Sequence, residues 1–285
     1  MEEPAVLGGT LLGAIATAPH TGARLYRLGQ AGIVARFPGA TVYVDLYLSN
    51  HCEAALPRPF DHRRATRAPL DPAEITDADI IVCTHDHLDH LDPPTIRTLR
   101  DASPRAVLVL PHAAANLAAE LDWPQERIVR VDAGESVTIA GVTLDAFAVA
   151  HDDVEFVLGH DRFLGFAIRG GGVTIGHVGD ARATPELADA LRRADCDLVF
   201  LPVNGRSPER AAMGFAGNMS ATEAVDLAVA AGAPHVVPMH YDMFPQNTDT
   251  DAIAVFESTA GRQGLSVEVV RIGEPIVVAP RSITP

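Results

Sequence analysis

Four side chains that can bind metal ions lie within six consecutive residues of this 285-residue chain: His85, His87, Asp89 and His90. Burying so many polar groups without partners would be costly. Because neighbouring side chains diverge on a turn, they cannot all reach one ion. We expect His85 and His87 at one ion, and Asp89 and His90 at another. The alternative is a surface histidine cluster on a charged turn, which the spacing and the preceding strand disfavour.

This donor set indicates a particular kind of metal chemistry. Imidazole and carboxylate groups suit Zn, Mn, Fe or Co, and the lack of nearby thiolates argues against a purely structural zinc site. Each ion needs further ligands from elsewhere in the chain, and one carboxylate could bridge the two. Two ions about 3.5–4 Å apart that share a hydroxide form the usual hydrolytic pair. The pattern therefore favours hydrolysis.

Short apolar strands are predicted to position these groups. The strand predicted at Ile80–Cys83 leads directly into the histidine segment. The strands predicted at 173–178 and 236–239 end close to Asp180 and His240, respectively. In α/β proteins, ligands and catalytic groups gather at the carboxyl ends of strands. We therefore expect Asp180 and His240 to lie beside the histidine segment.

The strand-then-helix rhythm occurs in two halves, roughly residues 1–150 and 151–285. It predicts an α/β fold in which two β-sheets pack face to face with helices outside. No linker or low-complexity tract separates the halves, so we expect a single domain over 1–285. Residues 267–278 are predicted to return to strand after the last helix.

Composition excludes several classes of function. The chain has a net charge of −15, and all 22 of its basic residues are Arg. The absence of Lys excludes Schiff-base chemistry and the P-loop. Nucleic-acid binding needs clustered positive charge, which this balance disfavours. No apolar run reaches the roughly 18 residues of a membrane span. The three separated Cys indicate a reducing compartment. We therefore expect a cytoplasmic protein without a nucleic-acid or membrane partner.

A longer series of motifs resembles one family. The sequence THDHLDH after an apolar strand resembles the metallo-β-lactamase superfamily, whose fold is an αββα sandwich of two mixed sheets. The segments LGQAGI…VYVD, THDHLDHLDPPTI, VGD, LPVNGR, GNM and PMHYDMFPQN are most similar to its L-ascorbate-6-phosphate lactonase branch. These motifs extend over nearly the whole chain.

The resemblance implies a set of metal ligands and two divalent ions per chain, Mn²⁺ or Zn²⁺. The first ion would be held by His85, His87 and His151, the second by Asp89, His90 and His240, with Asp180 as the bridge. Redox and penicillin-directed relatives carry a different residue at position 87 or 180. For His151, a solvated turn is the alternative.

Three further residues are candidates for substrate binding. Arg206 and Arg210 follow the strand predicted at 198–203, and Asn218 lies at a helix entrance. Arginine forks bind phosphate or carboxylate, and helix N-termini favour anions. We expect these residues to hold an anionic small molecule. The alternative is that the two arginines form surface ion pairs, which would contribute little. Arg64 and Arg67 are weaker candidates for covering the site.

These expectations define a metal-dependent hydrolase. The resemblance implies a lactonase that opens a sugar lactone, with or without a phosphate, by means of a hydroxide held between two ions, and it implies a homo-oligomer. Asp180 and Asp89 are the candidate catalytic residues, and Asp89 could act as a ligand, as a proton carrier or as both. The alternatives are a phosphodiesterase of the same fold, similar to N-acyl phosphatidylethanolamine phospholipase D, and a metal-binding protein without catalytic activity.

Overall fold

The computed structural model describes residues 3–56, 61–151, 153–247 and 249–281. The strands are β1 (Ala23–Gly29), β2 (Gly32–Arg36), β3 (Thr41–Val44), β4 (Ile80–Val82), β5 (Val107–Pro111), β6 (Ile128–Val131), β7 (Ser136–Ile139), β8 (Val142–Ala148), β9 (Phe156–Val157), β10 (His160–Asp161), β11 (Leu164–Gly170), β12 (Val173–His177), β13 (Leu198–Pro202), β14 (His235–Met239), β15 (Ser266–Val267) and β16 (Pro275–Val278). The α-helices are α1 (Gly8–Ala16), α2 (His51–Ala55), α3 (Pro93–Ala102), α4 (Ala115–Glu120), α5 (Pro185–Ala194), α6 (Pro208–Ala212), α7 (Ala221–Ala231) and α8 (Ala252–Gln263).

Two seven-stranded sheets form the centre of the fold. The first has the strand order β16-β1-β2-β3-β4-β5-β6, and the second has the order β15-β14-β13-β12-β11-β8-β7. Both sheets are mixed: β3 to β6 are parallel and so are β12 to β15, while the other pairings are antiparallel. The two halves expected from the sequence exchange strands. The strands β7 and β8 lie in the second sheet, and β16 lies at the edge of the first.

The two sheets pack face to face through alternating apolar side chains. Leu25 and Val42 from the first sheet share one buried cluster with Ile168 and Val199 from the second. On the opposite face of the first sheet, residues such as Tyr26 form a second cluster with the inner sides of α1, α3 and α4. Alternation along each strand directs neighbouring side chains to opposite faces. The predicted arrangement of two mixed sheets with helices outside is confirmed.

Local sequence signals determine where the helices of the second half begin. The Thr184 side chain accepts a hydrogen bond from the Leu187 amide, and Pro185 occupies the first turn of α5. Helix α7 begins with a capping box in which Ser220 and Glu223 satisfy each other's backbone amides. Such caps fix where each helix starts, and therefore where the preceding loop ends. Among the described residues, no helix is both long enough and apolar enough to cross a bilayer.

Candidate metal centre

The histidine segment forms the turn between β4 and α3. The amides of His90 and Leu91 both donate to the carbonyl of His87, at 3.0 and 2.8 Å, which closes the turn. Helix α3 then begins at Pro93, a residue suited to a first helical turn. The turn therefore projects its side chains from the carboxyl end of β4, as the sequence predicts.

Two groups of metal-binding side chains meet at this end of the sandwich. In each group, one ligand atom from every residue lies within 4.8 Å of the others. The first group contains His85, His87, His151 and Asp180, and the second contains Asp89, His90 and His240. The structure thus brings together all seven residues expected as ligands, in the division that the resemblance implies.

Asp180 stands between the two groups. Its Oδ2 lies 3.3 Å from His151 Nε2, on the side of the first group. Its Oδ1 lies 3.1 Å from His240 Nε2 and 3.4 Å from His90 Nε2, on the side of the second. Each carboxylate oxygen therefore faces a different group, which is the geometry that a bridging ligand requires.

Asp45 fixes the orientation of His90 from behind. It follows β3, is fully buried, and accepts from the Thr84 amide at 2.8 Å and from the Thr84 hydroxyl at 2.7 Å. Its Oδ2 also lies 2.8 Å from Nδ1 of His90. A carboxylate on one ring nitrogen fixes the tautomer and leaves the other nitrogen available as a ligand. Nε2 of His90 therefore faces Asp180.

Several buried atoms at the site fit bound metal ions. Nε2 of His85, Nε2 of His90 and Oδ1 of Asp180 are buried, and among the described residues none of them has a partner in hydrogen-bonding geometry, although Oδ1 of Asp180 lies 3.1 Å from Nε2 of His240 and 3.4 Å from Nε2 of His90. Buried polar atoms are nearly always hydrogen-bonded, since leaving one unsatisfied costs about 1–3 kcal/mol. These atoms point toward one another, as they would if they were ligands of bound metal ions.

The histidine pKa values differ between the two groups. Burial lowers the pKa of His85 well below its usual value, and lowers the pKa of His151 to about 4. Burial also opposes charge on His240, yet the carboxylates of Asp180 and Asp89 raise its pKa to about 9. His90 shows the same balance, because burial is outweighed by Asp180, Asp45 and Asp89, and its pKa is raised well above the usual value. In the metal-free protein, the imidazoles of His85 and His151 are therefore neutral, whereas those of His90 and His240 hold protons.

Gln30 is a further polar contact of the second group. Its Nε2 donates to Asp89 Oδ2 at 2.6 Å and lies 3.0 Å from His240 Nε2, while its carbonyl accepts from the His240 amide at 3.0 Å. Gln30, Asp45 and His240 all have left-handed backbone, with φ of 54°, 48° and 62°. Such conformations are unfavourable for residues other than glycine and cluster at functional sites.

A cavity of about 400 Å³ opens onto the two groups. The candidate metal ligands in its lining are His87, Asp89, His151, Asp180 and His240, and Asp86 also lines it. Its remaining lining comprises Cys52, Leu56, His62, Leu88, Met213, Gly214, Phe215, Ala216, Phe244 and Asn247. A small molecule in this cavity would therefore lie directly against the candidate metal ligands.

The three residues expected to bind an anion do not line the cavity, and their side chains form internal hydrogen bonds and ion pairs instead. Arg206 makes a bidentate ion pair with Glu223, at 2.7 Å for each nitrogen. Arg210 donates to the Asn204 carbonyl and to Oδ1 of Asn247, and Asn218 donates to Asn204 Oδ1 at 3.0 Å. None of Arg206, Arg210 and Asn218 is among the described residues that line the cavity.

The two loop arginines, Arg64 and Arg67, lie beside a separate hollow of about 390 Å³. The guanidinium of Arg64 donates to the carbonyls of Tyr47 and Thr66. Neither arginine is among the described residues that line the cavity at the metal centre. Their expected role in covering the site stays a prediction.

Sequence reasoning missed Asp45 and Gln30 as parts of the site. Asp45 directly follows the apolar strand β3, and Asp180 lies shortly after the end of β12. The position of Asp45 at a strand end was therefore the sequence signal that could have identified it. Gln30 lies in the tight turn between β1 and β2, and only its left-handed backbone and contacts reveal its place.

Comparison with known proteins defines the class. The family described as "Beta-lactamase superfamily domain" matches residues 49–241. A UPF0173 metal-dependent hydrolase of Methanosphaerula palustris is 27% identical over 213 residues, which cover 71% of this chain and 85% of the relative. The isothiocyanate hydrolase from Delia radicum gut bacteria superposes with a TM-score of 0.70 at 17% identity, covering 90% of this chain and 99% of that one.

The chain belongs to the metallo-β-lactamase superfamily, because the family match covers well over half of it. The fold alone does not fix the reaction. The diiron β-hydroxylase CmlA from Streptomyces venezuelae superposes with a TM-score of 0.67 at 17% identity, over 91% of this chain and 55% of that one. Function therefore has to be argued from the site itself.

Proposed function

We propose that this protein is a metal-dependent hydrolase with two divalent ions, Mn²⁺ or Zn²⁺, in its active site. The observation that carries the proposal is the position of Asp180, whose two carboxylate oxygens face two separate groups of ligands. The similarity to relatives named metal-dependent hydrolases supports the same class of reaction.

His85, His87 and His151 would hold the first ion, and Asp89, His90 and His240 the second, with Asp180 shared between them. When bound, a pair of divalent ions activates water at neutral pH and polarises a substrate carbonyl. Asp45 keeps Nε2 of His90 directed into the site. The buried, neutral imidazoles of the first group are ready to bind an ion without losing a proton.

Asp89 is the candidate proton carrier. It lines the cavity, and its side chain is the more exposed of the two candidate catalytic carboxylates, at 18% compared with 6% for Asp180. In an ester or lactone hydrolysis, the water oxygen bonds to the carbonyl carbon and the carbon–oxygen bond to the leaving group breaks. Asp89 would take the proton of the water and return it to the leaving oxygen.

Within this class, we propose a carboxylic ester or lactone as the scissile bond. The support is the resemblance of the segments LPVNGR, GNM and PMHYDMFPQN to the lactonase branch. A cytoplasmic location, a homo-oligomeric assembly and the absence of nucleic-acid and membrane partners remain predictions.

A pH-stat assay tests both levels of the proposal. Protein freed of metal and reloaded with Mn²⁺ or Zn²⁺ is given γ-butyrolactone, an alkyl ester and bis-p-nitrophenyl phosphate. We expect metal-dependent acid release from the lactone or the ester, which is lost in Asp180→Ala and kept in Asp132→Ala. Preference for the phosphodiester would overturn the choice of bond. If two bound ions gave no activity on any of the three substrates, the hydrolase proposal would be wrong.

A further inference from the structure

The lining of the cavity is chemically divided. It contains candidate metal ligands and also five apolar side chains, Leu56, Leu88, Met213, Phe215 and Phe244. We call these five side chains the apolar wall. A substrate with its reacting carbonyl at the ligands would place its neighbouring substituent against this wall, because the cavity holds only about 400 Å³.

Three of the five residues of the apolar wall, Leu56, Leu88 and Phe244, belong to a small hydrophobic cluster that is separate from the cores of the sheets. Phe244 is buried and packs with Tyr47, Cys52 and Met243, and Leu56 and Leu88 pack against that cluster. The rings of Tyr47 and Phe244 lie 5.8 Å apart. These contacts come from chain segments far apart in sequence, and they pack this part of the wall against the rest of the fold.

The rim of the wall contains exposed apolar surface. Met213 is 45% exposed and follows the short helix α6, next to Gly214 and Phe215. The ring of Phe215 stacks on His62 with centroids 5.6 Å apart. Exposed apolar side chains that continue a buried apolar wall indicate a surface that a ligand covers.

The cavity offers little positive charge to a substrate. Within the described residues, no Arg lines the cavity, and the lining residue Asp86 is already paired with Arg162 at 2.9 Å. The Cys52 side chain in the lining is buried and belongs to the same hydrophobic cluster as Phe244. The carboxylates of Asp89 and Asp180, together with that of Asp45 behind His90, would offset three of the four charges of two divalent ions. An anionic substituent would have little to pair with here.

Asn247 supplies one polar contact at the edge of the wall. Its Oδ1 accepts from Nδ2 of Asn204 and from Arg210, both at 3.1 Å. With the oxygen so engaged, the Nδ2 group of Asn247 is the donor that can face a substrate oxygen in the cavity. Arg210 thus holds Asn247 in place, rather than binding an anion itself.

We propose that the substrate carries a neutral, apolar alkyl or aryl substituent beside the bond that is cleaved, in place of the anionic group expected from Arg206 and Arg210. This inference rests on the proposed function, because it takes the two ligand groups as the position of the reacting carbonyl. It assigns the apolar wall as the surface that selects the substrate.

Hydroxamates test the inference without requiring turnover, since they bind metal ions through a fixed head group and carry a variable tail. Affinities of the Zn²⁺-loaded protein for acetohydroxamate, butanohydroxamate and hexanohydroxamate are measured by calorimetry. We expect affinity to rise about fourfold for each methylene buried against the wall. Adipic monohydroxamate, which ends in a carboxylate, should bind at least about tenfold more weakly than hexanohydroxamate.

Variants locate the effect on the wall. Phe215→Ala should flatten the dependence on tail length while leaving acetohydroxamate affinity within about twofold. The control is Phe156→Ala, a 63% exposed phenylalanine outside the cavity lining, which should leave the whole series unchanged. If Phe215→Ala does not fold, as judged by its thermal transition, the tail-length series on the unmodified protein still decides the question.

The outcomes separate the two proposals. Equal affinity for the neutral and carboxylate tails, or no dependence on tail length, would overturn the apolar substrate while leaving the metal site intact. Failure of every hydroxamate to bind, with two ions confirmed, would contradict the position assigned to the reacting group. Turnover of a neutral ester combined with a flat hydroxamate series would retain the hydrolase and reject the role of the wall.

Discussion

Replacement of Asp45 by Asn tests how the second metal position is built. Asp45 accepts three hydrogen bonds, two from Thr84 and one from His90 Nδ1, at 2.7–2.8 Å. Asn has almost the same shape and tolerates left-handed backbone, so the φ of 48° at this position adds no strain. It offers one acceptor oxygen where the carboxylate offers two.

The substitution changes which ring nitrogen of His90 carries the proton. If the amide oxygen of the substituted side chain keeps the bond to the Thr84 amide, its NH₂ group faces Nδ1 of His90. His90 then gives up the proton on Nδ1 and keeps the one on Nε2, the atom that faces Asp180 at 3.4 Å. Binding of the second ion must first reverse that tautomer and leave a buried donor unsatisfied, at a cost of about 1–3 kcal/mol.

We therefore expect Asp45→Asn to weaken the second ion by about 10- to 100-fold, in line with losses of such outer contacts. That factor corresponds to about 1.4–2.7 kcal/mol. Equilibrium dialysis with metal analysis would show one tightly bound ion and one weakened ion per chain. The first ion should be weakened less than the second, because Asp45 reaches a first-group ligand only indirectly, through the Thr84 hydroxyl that lies 3.0 Å from Nδ1 of His85.

A matched control is available in the same chain. Asp132 also binds a histidine through Nδ1, with Oδ2 at 2.7 Å from His160, but this pair lies outside the cavity lining. Asp132→Asn should bind both ions like the unmodified protein. Two ions bound with unchanged affinity in Asp45→Asn would contradict the role of Asp45 in orienting His90, and so would equal weakening in both variants.

Three further perturbations have defined outcomes. Asp180→Ala should reduce the metal content to about one ion per chain and abolish nearly all hydrolysis; retention of two tight ions would rule out a bridge at this position. Because the pKa values of His90 and His240 are raised, both are protonated at pH 7.5, and uptake of the second ion should release about two protons in a weakly buffered indicator assay. That release should fall as the pH rises through 9, and its absence at pH 7.5 would contradict the electrostatic account. Arg206→Ala breaks a partly exposed ion pair with Glu223, so the free energy of unfolding should fall by about 0–1 kcal/mol in a denaturant titration. The KM for a neutral ester should not change. A large rise in KM would instead place Arg206 at the substrate site.

The positions of the metal ligands could be predicted because they follow local rules. The spacing of His85, His87, Asp89 and His90 and the preceding apolar strand are visible in the sequence, and strand ends converge at one edge of a sheet. Those rules also place Asp180 and His240 correctly, beside the histidine segment.

The rest of the site depends on contacts between distant segments. The partner of Arg206 is Glu223, a residue of a capping box that local sequence predicts, but their pairing arises only when α7 folds against the loop after β13. The apolar wall likewise joins residues from positions 56 to 244. The periodicity and spacing of the sequence contain no information about such contacts between distant segments.

The end of the chain shows the same limit. The sequence predicts one return to strand over 267–278, but this part of the chain supplies two short strands on different sheets. β15 continues the second sheet beside β14, and β16 crosses to pair with β1 at the edge of the first. A strand signal predicts extended backbone, whereas the choice of partner depends on which sheet edge is open.

The central claim is that two ions share Asp180. Anomalous diffraction from crystals of the Zn²⁺-loaded protein tests it most directly. We expect two zinc peaks about 3.5–4 Å apart. One peak should lie among His85, His87 and His151, and the other between His90 and His240, with one oxygen of Asp180 on each. A single peak, or two ions that do not both contact Asp180, would contradict it.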